Sequence, residues 1–196
     1  TVDEAKALVK SRLSEKRYKH TINVKKMAVK LAKRYGADEE KAALAALLHD
    51  SAKELPKAEM LQIFADNDII AKNAAERPAP VWHGIAAAIL CQTRWGVTDP
   101  EILSAIACHT TGKPGMSLLD KIIYMADMTS AERDYPGVEA LRGEAMAHLD
   151  LALCHALERS VTFVKQKGGP LDPVTVAALE DIRAVCAGGA GRAVTR

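Results

Sequence analysis

Six consecutive alanines and leucines, Ala43 to Leu48, run directly into His49-Asp50. A run of this kind makes a buried helix, and a carboxylate buried at its end is costly unless the fold supplies a proton, a cation or a metal. His20, His83, His109 and Asp127 likewise end or interrupt apolar helical stretches. Four histidines and two carboxylates so placed in a helical bundle are the makings of a metal site. Such a site points to metal-assisted hydrolysis of a phosphate ester or anhydride.

A length of 196 residues suits one domain, and a hydrophobic content of 48% suits a sizeable core. Aromatic content is only 4%, so tight helix-on-helix packing is favoured over a sheet. There are no alternating Val/Ile/Thr runs and no Asn-Gly hairpin signals. The fold class expected is all-α, a single-domain bundle. A formal net charge of +2 gives no support for sequence-independent nucleic-acid binding. The basic stretch from Lys16 to Arg34 has the spacing of a solvated helix face. Cys91, Cys108, Cys154 and Cys186 form no Cys-x-x-Cys pair and read as packed, reduced thiols. No stretch is long enough to cross a bilayer, and no secretory signal opens the sequence. The expectation is a cytoplasmic protein with no nucleic-acid partner and no membrane contact. A homodimer is a reasonable assembly for a small helical enzyme.

Capping chemistry divides the chain. Residues 2–13 read as a short amphipathic helix. Ser14 caps the next helix, which Gly36 ends, and Asp38 caps a third that runs to His49-Asp50. Residues 57–65 read as a short helix and 66–80 as mostly loop. His83 lies at the start of a helix that stops near Gly96. Asp99-Pro100 opens another that runs to His109. Ser117 restarts a helix that closes on Asp127. One long helix is expected over about 138–167, and a last one over about 173–186. The expected domain spans 1–187, with the Gly-rich residues 188–196 as a flexible tail.

His49 and Asp50 lie about 100° apart around a helix axis, so both can turn into one cavity. A carboxylate there can bridge two metals, one oxygen to each. Alone, the dipeptide reads equally well as a core histidine beside a helix-end carboxylate. Lys53 shares their face if the helix continues, which would suit it to a phosphate oxygen; alone it reads as an exposed lysine. Gly84 after His83 leaves room for a bulky ligand. Each histidine has an ordinary structural explanation, and the set as a whole does not. His148 and His155, seven residues apart, are too widely spaced to share an ion and read as surface or packing residues. Imidazoles and carboxylates without thiolates favour iron, manganese, cobalt, nickel or zinc over calcium. Two ions roughly 3.5–4 Å apart suit phosphoryl chemistry, in which a bridging hydroxide attacks phosphorus while the metals spread the charge.

The ordered set His20, His49-Asp50, His83, His109, Asp127 resembles the metal ligands of the HD-domain phosphohydrolase superfamily. His49-Asp50-Ser51-Ala52-Lys53, Trp82-His83-Gly84 and His109-Thr110-Thr111-Gly112 resemble the YqeK branch of it. So do Leu119 to Asp127 and Arg133-Asp134-Tyr135-Pro136-Gly137-Val138. The resemblance implies an HD-type fold with a di-iron or similar dinuclear centre, and a nucleotide substrate, diadenosine tetraphosphate, cleaved symmetrically to two ADP. His20, His49, Asp50 and Asp127 would hold one metal, and Asp50 would bridge to a second held by His83 and His109. Lys53 and Arg133 would meet the phosphates, with help from Thr110 and Thr111. The catalytic roles implied are those of Asp50, Lys53 and Arg133. A metal-bound hydroxide would attack a central phosphorus, with ADP leaving.

The family pattern has a Glu-Pro pair where this chain has Ser130-Ala131. Glu132, two places along, is the one carboxylate placed to stand in for it, and the spacing alone does not assign it that role. The rival readings are a phosphohydrolase acting on a mononucleotide, a dNTP or a cyclic phosphodiester; a nucleotide-binding protein without turnover; and a helical scaffold without a site.

Overall fold

Helix ends are set by local chemistry, and they place the side chains of interest. A computed structural model describes residues 1–190 and contains eleven helices and no strand among them. α1 (Val2–Arg12) is followed by α2 (Glu15–Tyr35), whose first turn is capped by the Ser14 hydroxyl accepting from the Arg17 amide. Gly36 ends α2 at φ 71°, a left-handed conformation that glycine adopts without steric cost, and the Ala37 amide turns back to the Ala32 carbonyl. Asp38 then caps α3 (Glu39–Leu48) by accepting from the Glu40 and Lys41 amides. Ala42, Ala43, Ala45, Ala46, Leu47 and Leu48 are all buried, because α3 is wrapped by α1, α2 and two later helices that run over Pro100–Cys108 (α7) and Leu118–Thr129 (α8). A helix buried all round must be apolar all round, which accounts for the run of alanine and leucine.

α4 (Lys57–Asp66) and α6 (Trp82–Arg94) pack on each other. The stretch between them is more ordered than a loop. It holds the single turn α5 (Asp68–Ala71) and two 3₁₀ turns, Ala74–Glu76 and Ala79–Val81. α8 opens with a capping box between Ser117 and Asp120 and runs two residues past Asp127 rather than closing on it.

The long helix expected over 138–167 is two helices, α9 (Val138–Ala147) and α10 (Leu149–Gln166), broken at His148. His148 is extended, with φ −146° and ψ 88°. Its amide ends α9 on the Glu144 carbonyl and its own carbonyl accepts the first amide bond of α10. α9 and α10 pack on one another, so His148 and His155 do not share one helix. His155 instead pairs with Glu144 at 2.8 Å. α11 (Pro173–Ala190) covers α10 and continues beyond residue 186. Of the expected 188–196 tail, residues 188–190 are therefore helical and 191–196 lie outside the described residues.

One ion pair joins the α4–α6 connection to the start of α11. Arg77 Nε donates to Asp172 Oδ1 at 3.0 Å and its Nη2 to Oδ2 at 2.5 Å, and Asp172 is buried. Removing the arginine leaves that carboxylate without its cation. Arg77→Ala should therefore lower stability by about 2–3 kcal/mol, below the full cost for a buried pair because Arg77 is partly exposed. In a chain of this length that is a Tm drop of about 5–10 °C by differential scanning calorimetry. An unchanged Tm would show that the pair holds nothing together.

Candidate metal centre

Five helices bring the six side chains to one place. His20 lies in the second turn of α2, His49-Asp50 follow α3, and His83 is the second residue of α6. His109 follows α7, and Asp127 is in the last turns of α8. All six except Asp127 are buried below a tenth of their surface. His49 and His109 each sit one residue beyond a helix, where the last carbonyls lack intrahelical partners. Each ring uses Nδ1 to satisfy the carbonyl three residues earlier, Ala46 O at 2.6 Å and Ile106 O at 2.7 Å. His83 Nδ1 does the same to Pro80 O at 3.0 Å. A carbonyl only accepts, so Nδ1 carries the proton in all three rings and Nε2 is left unprotonated, with its lone pair free to ligate.

Those Nε2 atoms gather around Asp50, and its two oxygens divide them. Oδ1 lies 3.3 Å from His83 Nε2 and 3.4 Å from His109 Nε2. Oδ2 lies 3.6 Å from His20 Nε2 and 3.5 Å from His49 Nε2. Asp127 Oδ1 completes the second group, 3.1 Å from His20 Nε2 and 3.9 Å from His49 Nε2. The donor atoms of His20-His49-Asp50, of His49-His109-Asp127 and of Asp50-His83-His109 each lie within 4.8 Å of one another. Ligands about 2.0–2.2 Å from a shared ion stand roughly 3–3.5 Å apart, so the spacing fits. His20 Nε2 and His49 Nε2 are buried and yet make no hydrogen bond. Closeness without alignment is the arrangement left by ligands converging on a common point, and an orphaned buried nitrogen otherwise costs stability.

The charges agree with this. Burial alone would raise the Asp50 carboxyl, but His49, His109 and His83 outweigh it and hold the group well below the usual range. Asp127 is held down in the same way by His20, His49 and Arg133. Burial, aided by His109 and Lys53, pushes His83 down to about 4, so it is neutral and free to ligate at pH 7. His20 and His49 are raised, because neighbouring carboxylates outweigh their burial.

Cations surround the donors. Arg17 donates to Asp50 Oδ2 at 2.9 Å. Arg133 donates to Asp127 Oδ1 at 2.7 Å and to the Asp127 carbonyl at 2.9 Å. Lys53 reaches the site although α3 does not extend to it. The chain turns after Leu48, with the Lys53 amide on the Asp50 carbonyl, and the ammonium comes within 3.4 Å of His83 Nε2. Desolvation, with Arg17 and Arg133 nearby, lowers the lysine pKa. A cleft of about 570 Å³ opens beside the donors. His109, Thr110, Asp127 and Arg133 form its inner end, and Tyr135, Arg159, Phe163 and Lys167 lie further out. The Arg159 guanidinium stacks 4.2 Å over the Tyr135 ring.

Two expectations need correction. Thr110 lines the cleft, with its hydroxyl 3.2 Å from both His83 Nε2 and His109 Nε2, but Thr111 does not. Thr111 is buried and donates to the Gly112 carbonyl at 2.7 Å, so its hydroxyl is unavailable to a substrate. Gly84 does not make room for a ligand. A Cβ there would stand 3.1 Å from the Ala107 carbonyl oxygen and 3.2 Å from the His109 ring, so the missing side chain admits the end of α7. Arg17 and Glu132 went unassigned in the sequence. Arg17, three residues before His20 on α2, carried the one usable signal, because that spacing shares a helix face. The Glu132 carboxylate meets His20 Nδ1.

Residues 17–132 match the family model of the HD domain. The chain is 43% identical over 173 residues to the symmetrical bis(5′-nucleosyl)-tetraphosphatase of Bacillus subtilis (strain 168), covering 88% of this chain and 92% of that protein. It is 40% identical over 174 residues to the protein of the same name from Halalkalibacterium halodurans, covering 89% and 92%. It is similar to the crystal structure of a predicted HD superfamily hydrolase involved in NAD metabolism from Clostridium acetobutylicum. There the TM-score is 0.89 at 38% identity, over 94% of this chain and 97% of that one.

Proposed function

This chain belongs to the HD-domain family, and on that premise we propose that it hydrolyses dinucleoside tetraphosphates, cutting diadenosine tetraphosphate symmetrically to two ADP. The observation that carries the reading is the division of Asp50, with one oxygen toward His83 and His109 and the other toward His20 and His49, the two imidazoles that Asp127 also approaches. In this reading His20, His49, Asp127 and Asp50 hold one divalent ion, and Asp50, His83 and His109 hold a second. A donor set of imidazoles and carboxylates without thiolate suits a pair of first-row ions, iron first among them, with manganese, cobalt, nickel or zinc as alternatives. When bound, the ions supply Lewis acidity and an activated water for attack on phosphorus.

The chain's own residues do the rest. Arg133, Lys53 and Arg17 present fixed positive charge where the transferring phosphoryl group gathers negative charge, and fixed charge in a partly dry site needs no reorganisation during reaction. The Thr110 hydroxyl is placed to donate to a phosphate oxygen. The outer cleft, with Phe163, Tyr135 and the Arg159 guanidinium, offers a nucleoside flat faces and a phosphate a cation. ADP departs as a phosphate of low proton affinity, so no general acid is required.

The clustered donors and the cleft come from one chain, so the reading does not need a homodimer. The four free cysteines support work in the reducing cytoplasm, and no described helix is long and apolar enough to cross a membrane. Anion-exchange chromatography of the products made by metal-loaded protein from diadenosine tetraphosphate tests the reading. ADP alone, two per substrate, is expected. AMP with ATP would contradict symmetrical cleavage, and no product with any first-row metal would contradict hydrolysis.

A further inference from the structure

One of the four clustered imidazoles is held differently from the rest. His49, His83 and His109 turn Nδ1 to main-chain carbonyls, whereas His20 Nδ1 faces the Glu132 carboxylate. That carboxylate is itself fixed. Asn23, one turn beyond His20 on α2, donates from Nδ2 to Oε2 at 2.8 Å, and the Ser130 hydroxyl donates to Oε1 at 2.8 Å. The turn that carries Glu132 is also built rather than loose. The Arg133 amide closes it on the Ser130 carbonyl. From α9, Arg142 donates to the carbonyls of Thr129, Ser130 and Arg133 at 3.0, 2.8 and 2.7 Å. Three carbonyls on one guanidinium hold the end of α8 in the one shape that delivers Glu132 to His20 and Arg133 to Asp127.

We propose that Glu132 is the positioning residue of His20: its carboxylate fixes the ring's tautomer and orientation and makes Nε2 the strongest imidazole donor of the centre. The inference rests on the metal reading given above. An imidazole whose far N–H is donated to a charged carboxylate is a more basic ligand than one bonded to a neutral carbonyl, and losing such a partner commonly costs 10–100-fold in metal affinity. The Ser130 hydroxyl lies 2.8 Å from the same carboxylate, so an acid carried at position 130 has His20 within reach as well.

The test is Mn²⁺ binding to the full chain, followed by electron paramagnetic resonance of free ion and by the spectrum of the bound pair. The wild type is expected to take two equivalents. Glu132→Ala is expected to weaken one equivalent 10–100-fold and leave the other unchanged. Glu132→Gln, which keeps the shape and an acceptor for His20, is expected to fall between. Ser130→Glu added to Glu132→Ala is expected to restore the weakened equivalent. Two equivalents bound as tightly by both single variants as by the wild type would overturn the inference and leave the metal reading standing. So would equal weakening of both equivalents. A folded wild type that takes up no Mn²⁺ would overturn both.

Discussion

Asp50→Asn should strip the centre of both ions and lower turnover about 10³-fold or more. The substitution keeps the shape of the side chain but leaves one oxygen in place of two, so at least one donor group loses its carboxylate. The other keeps a neutral amide oxygen and loses the charge. The four imidazoles, Arg17, Lys53 and Arg133 would then be offset by Asp127 and Glu132 alone, and a dication entering that cavity is repelled in a medium that screens charge poorly. Folding should survive, because Arg17 is partly exposed and can turn to water. Metal content by atomic emission and turnover of diadenosine tetraphosphate should fall together in a protein of unchanged circular dichroism. A variant that kept both ions and full turnover would show that Asp50 bridges nothing.

Gly84→Val should damage one half of the centre selectively. Even an alanine Cβ would meet the Ala107 carbonyl at 3.1 Å and the His109 ring at 3.2 Å, and valine adds two methyl groups to that contact. The backbone carbonyl at the end of α7 cannot withdraw as easily as a side chain, so the imidazole yields. Overpacking of this kind costs about 1–3 kcal/mol. A ligand displaced by about 1 Å costs on the order of 10² in rate. His20, His49 and Asp127 lie on other helices and keep their positions. The expected result is about one ion per chain in place of two, with turnover down about 100-fold. Two ions and unaltered turnover would show that α6 and α7 have room to spare.

The parts of this fold legible in the sequence are those decided by neighbours along the chain. Ser14, Asp38, Asp99-Pro100 and Ser117 begin helices because a cap is a bond between residues two or three apart. The six side chains that cluster stood out for a related reason, since each ends or interrupts an apolar run along the chain. What stayed hidden depends on what lies opposite. The break at His148 has no glycine or proline to announce it and follows from α9 folding back on α10. Gly84 looked like space for a ligand, and only the arrival of α7 shows the space to be filled. Thr111 carries the same hydroxyl as Thr110, but one step of backbone turns it into the core. Glu132 reaches His20 across 112 positions of sequence and Arg77 reaches Asp172 across 95. Neither distance is written in either residue.

The most direct measurement is anomalous scattering from a crystal of the metal-loaded protein. The account predicts two peaks on either side of Asp50, one bonded to His20, His49 and Asp127 and one bonded to His83 and His109, with a carboxylate oxygen of Asp50 on each. A peak elsewhere in the chain, or a loaded crystal in which Asp50 touches no metal, would contradict it.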